Sequence, residues 1–205
     1  MQIQRFESQD FDTFRIDGLD ERMQAIQERI QPKFKVIGTE LTDHLSVAVG
    51  DEMFLHIAKH ARRSVNPPND TWLAICENKR GYKKHPHFQV GLFDDHIFIW
   101  LAFIYELPGK EKIAKQFSSE INSLHELPDS FVVSLDHTKK DAFPIKDLSQ
   151  DHLNRVCTVK KAELLIGKHI SKETAIKLDG DSFINDIKDT LNRLVPFYLK
   201  ALHSL

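Results

Sequence analysis

Cysteine is scarce in this chain of 205 residues: there are two, Cys76 and Cys157. Each lies inside a mainly apolar segment with no second cysteine at a motif spacing, which points to free buried thiols rather than a disulfide. Glycine and proline number eight each, and neither a low-complexity tract nor a repeat of fixed period is present. That excludes a disordered chain or a repeat array. No apolar run approaches the roughly 18 residues of a membrane span, the longest being 97–105. The opening MQIQRFESQDFD also lacks the basic-then-apolar order of a signal peptide, so a cytoplasmic protein without a membrane partner is expected. Catalytic signatures are equally scarce: there is no GxSxG, no HExxH and no glycine-rich phosphate loop of either standard type.

What is present is enough apolar sequence, 41% of the chain, to build a substantial core, and one domain spanning 1–205 is expected. Leu19, Met23, Ile26 and Ile30 recur at helical spacing through 20–31, with Pro32 ending that helix or opening the next. Phe34, Ile37, Leu41, Leu45 and Ala48 continue the stripe over 32–49, and Gly50-Asp51 closes it. Segment 71–76 is β-prone, 87–93 alternates Phe88, Val90 and Leu92, and 96–105 is apolar on both faces as a buried central strand should be. Asp94-Asp95 joins the last two as a tight hairpin of unsettled turn type, since a primed turn prefers glycine in second place.

Beyond it the pattern predicts a helix over 110–127, a strand over 131–135, a helix over 148–156, a strand over 162–170 and a final helix over 182–202. That last helix would be capped by Asp181 or Ser182 and kinked or broken at Pro196. Short spacing between strands favours an α+β fold, with a mostly antiparallel or mixed sheet covered by amphipathic helices.

Charge is distributed unevenly. Segment 56–87 carries seven Lys and Arg against two acids, and four of the eleven histidines. With a formal charge of −2 for the whole chain, its +5 leaves −7 elsewhere, an asymmetry that points to an anionic partner. His56 and His60, spaced i, i+4, would share one face of a helix as a metal pair does. Position 57 is Ile, however, so the general base of a hydrolytic zinc helix is missing, and ordinary packing or polar histidines are the simpler reading.

Lys59, Arg62 and Arg63 precede SVNPPND, where two prolines stiffen the backbone and Asn66, Asn69 and Asp70 offer turn hydrogen bonds. A rigid polar loop beside cations suits an oxyanion, while the plain alternative is a solvated basic helix end with a stiff turn. The second cluster, NKRGYKKHPH, falls between two predicted strands. Lys79, Arg80, Lys83 and Lys84 supply charge, and Tyr82 and Trp72 supply planar surfaces for a base.

The runs GDEMFLHIAKHARRSVNPPNDTW, NKRGYKKHPHFQVGLF, HIFIWLAFIYE and IQPKFKVIG resemble the YktB-like family of uncharacterised proteins from Gram-positive bacteria, nearly end to end. The resemblance implies a small soluble cytosolic α+β domain and brings no catalytic residue, cofactor or partner with it. The residues themselves favour a binding module for an anionic small molecule or nucleic acid through Lys59, Arg62, Arg63, Asn66, Asn69, Trp72, Lys79, Arg80, Tyr82, Lys83 and Lys84. A hydrolase using His56, His60, His85 or His87, with or without a metal, is the second reading. An interaction domain for an acidic partner or a second copy is the third.

Overall fold

The computed structural model describes residues 3–205. Its strands are β1 Phe54–Ile57, β2 Thr71–Cys76, β3 His87–Leu92, β4 His96–Phe103, β5 Phe131–Ser134, β6 Phe143–Pro144 and β7 Leu164–Ser171. They form one sheet in the order β1-β2-β3-β4-β7-β5-β6, with every neighbouring pair antiparallel. The α+β expectation holds, and the sheet is antiparallel rather than mixed. β4 lies in the middle with all eight residues buried, which is why its sequence is apolar without alternation.

The helices are α1 Ser8–Asp12, α2 Leu19–Ala25, α3 Gln31–Val49, α4 Lys110–Ser119, α5 Ile121–His125, α6 Gln150–Thr158, α7 Lys172–Ala175 and α8 Gly180–Ser204. A π-helical turn, Ile26–Ile30, joins α2 to α3, so Pro32 opens α3 instead of stopping the chain. The buried stripe runs through Ile26, Ile30, Phe34, Ile37, Leu41 and Leu45 and stops there; Ala48 is exposed. The segment expected as one helix over 110–127 is divided at Glu120 (φ −122°, ψ 27°) into α4 and α5.

α8 begins earlier than expected because Asp179, not Asp181 or Ser182, is its cap, its Oδ1 accepting the Ser182 N–H at 2.7 Å. Pro196 does not break α8. Both Pro196 and Asn192, whose carbonyl loses its helical donor, face water, while Val195, Phe197 and Tyr198 on either side are buried. In the hairpin neither Asp94 nor Asp95 has a positive φ, so the turn is not a primed type.

Strand alternation sorts the side chains to two faces. The cross-strand row Leu73, Val90 and Ile99 belongs to the main core with α3 and α8, where Phe88 packs on Tyr198 at 4.8 Å. The adjacent row, Ala74, Gln89, Trp100 and Gly167, faces the other way. At Gly167 a Cβ would stand 1.8 Å from the Ile99 carbonyl oxygen, so only glycine fits. This second face has a smaller apolar cluster around Phe98, Trp100 and Leu165, on which Ala142 packs, while Tyr82 lies against His87 and His137 against Trp72. The candidate sites lie on that face.

Candidate functional site

β1 was not expected, and it changes the meaning of its histidines. His56 sits on the strand and His60 in the loop beyond it, at φ 49°, so the two do not share a helical face. The FLHI sequence of β1 has no polar–apolar alternation and all four residues are half-buried, so no strand pattern stands out. The His56 Nε2–H donates to the Asn78 carbonyl at 2.9 Å, and His60 Nε2 lies 3.1 Å from Thr71 Oγ1. Burial pulls the His60 pKa down to about 4. The pair is held apart by separate partners, and Lys59 stands in an irregular loop, not at the basic helix end that was the plain alternative.

The second basic cluster forms a loop over 77–86 whose shape comes from local bonds. Asn78 Oδ1 accepts the Arg80 N–H at 2.9 Å, and the Tyr82 carbonyl accepts the His85 N–H at 3.0 Å. Tyr82 anchors the loop: its ring packs on His56 and His87 at 5.6 and 4.9 Å, and its hydroxyl accepts Trp72 Nε1–H at 3.1 Å. His87 is wholly buried and neutral, its pKa driven down to about 3 by burial. Its Nδ1–H donates to the His85 carbonyl, while Gln89 donates to its Nε2. Cys76 beneath the loop is an inert thiol, its pKa pushed up by burial to about 11.

Between this loop and β1 opens a cleft of about 640 Å³. Lys59 comes from the β1 side and Arg80, Lys83 and Lys84 from the loop, with Tyr82 and His85 in the wall. The one acid on its lining, Glu106, is paired with Lys83 at 3.4 Å. The two clusters therefore meet through Lys59.

Arg62 and Arg63 lie off the lining. The Arg63 guanidinium closes its own loop on the Asn66 and Pro67 carbonyls at 3.3 and 3.5 Å. Asn69 is clamped by the buried Arg22, which donates to Asn69 Oδ1 at 3.3 Å and to the Pro68 carbonyl at 2.9 Å. Trp72 is half-buried, with its N–H spent on Tyr82. Asn66 and Lys79 are also outside the lining.

A second group of titratable residues lies beyond Trp72. Glu163, 3% exposed, accepts the backbone N–H of Tyr105 at 3.1 Å, the backbone N–H of His137 at 2.8 Å and His137 Nδ1–H at 2.7 Å. That arrangement fixes the tautomer and orientation of the imidazole. Burial pulls the His137 pKa down, but the hydrogen bond and charge of Glu163, helped by Asp70 and Asp136, outweigh it and hold it above 6.5. Asp70 is 6% exposed, and burial pushes its pKa up to about 7 against the pull of His137 and Arg63. The Trp72 and His137 rings meet edge-on at 6.3 Å.

Asp136, His137 and Glu163 also offer ligand atoms within 4.8 Å of one another, a spacing compatible with a cation. Asp136 Oδ1 already takes the Thr138 N–H and Oγ1–H at 3.0 and 2.6 Å, and a metal would have to displace the proton between His137 and Glu163. The sequence holds no signal that Asp70, Asp136, His137 and Glu163 meet, because they are scattered from 70 to 163 and become neighbours only in the folded chain.

The molecule is thus an α+β protein with a basic cleft at one sheet edge and a buried acid–imidazole network beside it. Residues 6–198 match the model of DUF1054, described as a domain of unknown function. Relatives named as UPF0637 proteins extend the match to nearly the whole chain. The one from Oceanobacillus iheyensis is 60% identical over 199 residues, 97% of each chain. Those from Shouchella clausii and Listeria welshimeri are 56% and 53% identical, over 98% of this chain and 97% and 100% of theirs. This chain belongs to that DUF1054 family of Gram-positive bacteria, in agreement with the resemblance in its central motifs. No helix among the described residues is long and apolar enough to cross a membrane.

Proposed function

We propose that the protein binds an anionic, phosphate-bearing or acidic ligand in the cleft along β1. The observation that carries this reading is the convergence of Lys59, Arg80, Lys83 and Lys84 on one cavity whose single acid is already paired. Arg62, Arg63 and Lys79 then contribute to the field around the cleft rather than direct contacts. Lys83→Ala/Lys84→Ala should weaken binding of inorganic pyrophosphate, nucleotides or a short oligonucleotide about tenfold at low salt. It should also flatten the salt dependence. Unchanged affinity for every anion that binds the parent would end this reading. The two free thiols support a reducing, cytoplasmic setting.

A second reading is favoured by the His137–Glu163 pair: hydrolysis of a phosphate ester held in the neighbouring cleft. Trp72 links the two places, its N–H on Tyr82 of the cleft wall and its ring against His137. Water would add to phosphorus as the Asp70 carboxylate takes its proton. The bond to the leaving oxygen would then break as His137 Nε2–H protonates it. Glu163 would position the imidazole. In this version His137 replaces His56, His60, His85 and His87. Turnover of p-nitrophenyl phosphate esters that survives His137→Ala undiminished, or no turnover in the parent, would remove it.

A further inference from the structure

β1 is the outermost strand on its side of the sheet, with β2 as its one neighbour. The Ala58 N–H donates to the Trp72 carbonyl at 2.9 Å, and the register pairs Ile57 with Leu73. In an antiparallel ladder, hydrogen-bonded and non-hydrogen-bonded pairs alternate. Ala58, His56 and Phe54 therefore bond to β2, while the N–H and C=O groups of Leu55 and Ile57 point away from the sheet. No side chain among the described residues bonds to them. Edge groups of this kind are a ready template for another strand.

The space beside that edge is already shaped. On the loop side lies the cleft described above. On the helix side lies a second cavity of about 570 Å³, floored by the helical segment through Gln31, Pro32 and Lys35. Leu55, Ile57 and Lys59 line both cavities, so the two flank the same free edge. All four β1 residues are half-buried, and Gln31 Nε2 reaches the Ala58 carbonyl at 3.4 Å, closing one end. A groove between a sheet edge and a helix accommodates an extended peptide, which bonds along the edge and sends alternate side chains to either side.

We propose that this groove docks an extended acidic segment of a partner polypeptide, which adds as a further strand beside β1. The inference rests on the anionic-ligand reading and names the ligand class. Cations stand on both sides of the edge, Lys35 toward the helix and Arg80, Lys83 and Lys84 toward the loop, with Lys59 common to both cavities. A single phosphate cannot reach both sides, whereas alternate carboxylates on a strand of roughly 13 Å can. Nucleic acid fits less well: the Trp72 N–H is spent, the Tyr82 ring is packed on His56 and His87, and a sugar-phosphate chain has no alternating donors and acceptors to match Leu55 and Ile57. A second copy paired edge to edge through β1 would bring two basic loops together and be repelled.

The test uses the full chain and three probes: a labelled eight-residue peptide alternating Glu with Val or Thr, inorganic pyrophosphate, and a short oligonucleotide. The peptide is also made with N-methyl groups on one alternate set of amides and, separately, on the other. The unmodified peptide should bind, and methylation of one set should weaken it at least tenfold while the other set changes it little. Amide exchange at Leu55 and Ile57 should slow at least tenfold in the complex. If both methylated peptides bind as tightly as the parent, or if only pyrophosphate or the oligonucleotide binds, strand addition is overturned and the anionic-ligand reading stands. If none of the three probes binds, both fall.

Discussion

The cleft along β1 and the Asp70–His137–Glu163 network lie on the same face of the sheet with Trp72 between them, yet they handle charge in opposite ways. In the cleft, lysine and arginine side chains stand in water around one paired acid. Nothing in the fold requires them there, and solvent screens their mutual repulsion. In the network, Glu163 is almost wholly enclosed and every oxygen is occupied by an N–H donor, because an unpaired buried carboxylate would be very costly. Exposed charge costs the fold little and remains available to a ligand, while buried charge must be matched within the protein and is tied to its stability.

The largest expected effect falls on the network. Glu163→Ala leaves the Tyr105 and His137 N–H groups without their acceptor and should destabilise the protein by about 3 kcal/mol, read by urea denaturation. A loss below about 0.5 kcal/mol would mean that the pair is not part of the structural framework.

Asp70 gives a pH-dependent version of the same contrast. Folding raises its pKa from the ordinary 3.8 to about 7, so its contribution to stability is present at low pH and is lost as pH climbs through that interval. The raised pKa of His137 acts in the same sense, its contribution full below 6.5 and lost as pH passes the folded value. Asn cannot ionise, so Asp70→Asn should gain on the parent progressively as the pH is raised from about 4 to about 8. The buried His87 and the half-buried His60 and His169, the last on β7, have lowered pKa values and act oppositely and equally in both proteins. A pH-independent difference in melting temperature would contradict the enclosure of Asp70.

The smallest effect belongs to the cleft. Lys83→Ala/Lys84→Ala, which should weaken anion binding, should leave stability within about 0.5 kcal/mol of the parent. A larger loss would make those lysines structural and blur the distinction.

The same contrast explains what was legible. β2 matches the expected span 71–76, and β4 is fully buried as its unbroken apolar run implies, because long patterned segments declare themselves locally. β1 escaped because FLHI carries no polar–apolar alternation and is half-buried throughout, and β6 because it has two residues. The basic clusters were visible because solvated charges crowd together along the chain. His137 and Glu163 were not, being 26 residues apart and joined only where the loop after β5 folds back toward the start of β7.

Sequence alone determined that this is an α+β protein whose segment 56–87 is strongly net positive within an otherwise acidic chain, since periodicity and composition are local properties. Tertiary structure decided that Lys59 joins the second cluster while Arg62 and Arg63 stay off the cleft lining. It also decided that His56 and His60 do not form a pair, and that a sheet edge lies open between two groups of cations. Those outcomes depend on which strands pair and in what register, a choice set by burial over the whole core and written in no single stretch of the chain.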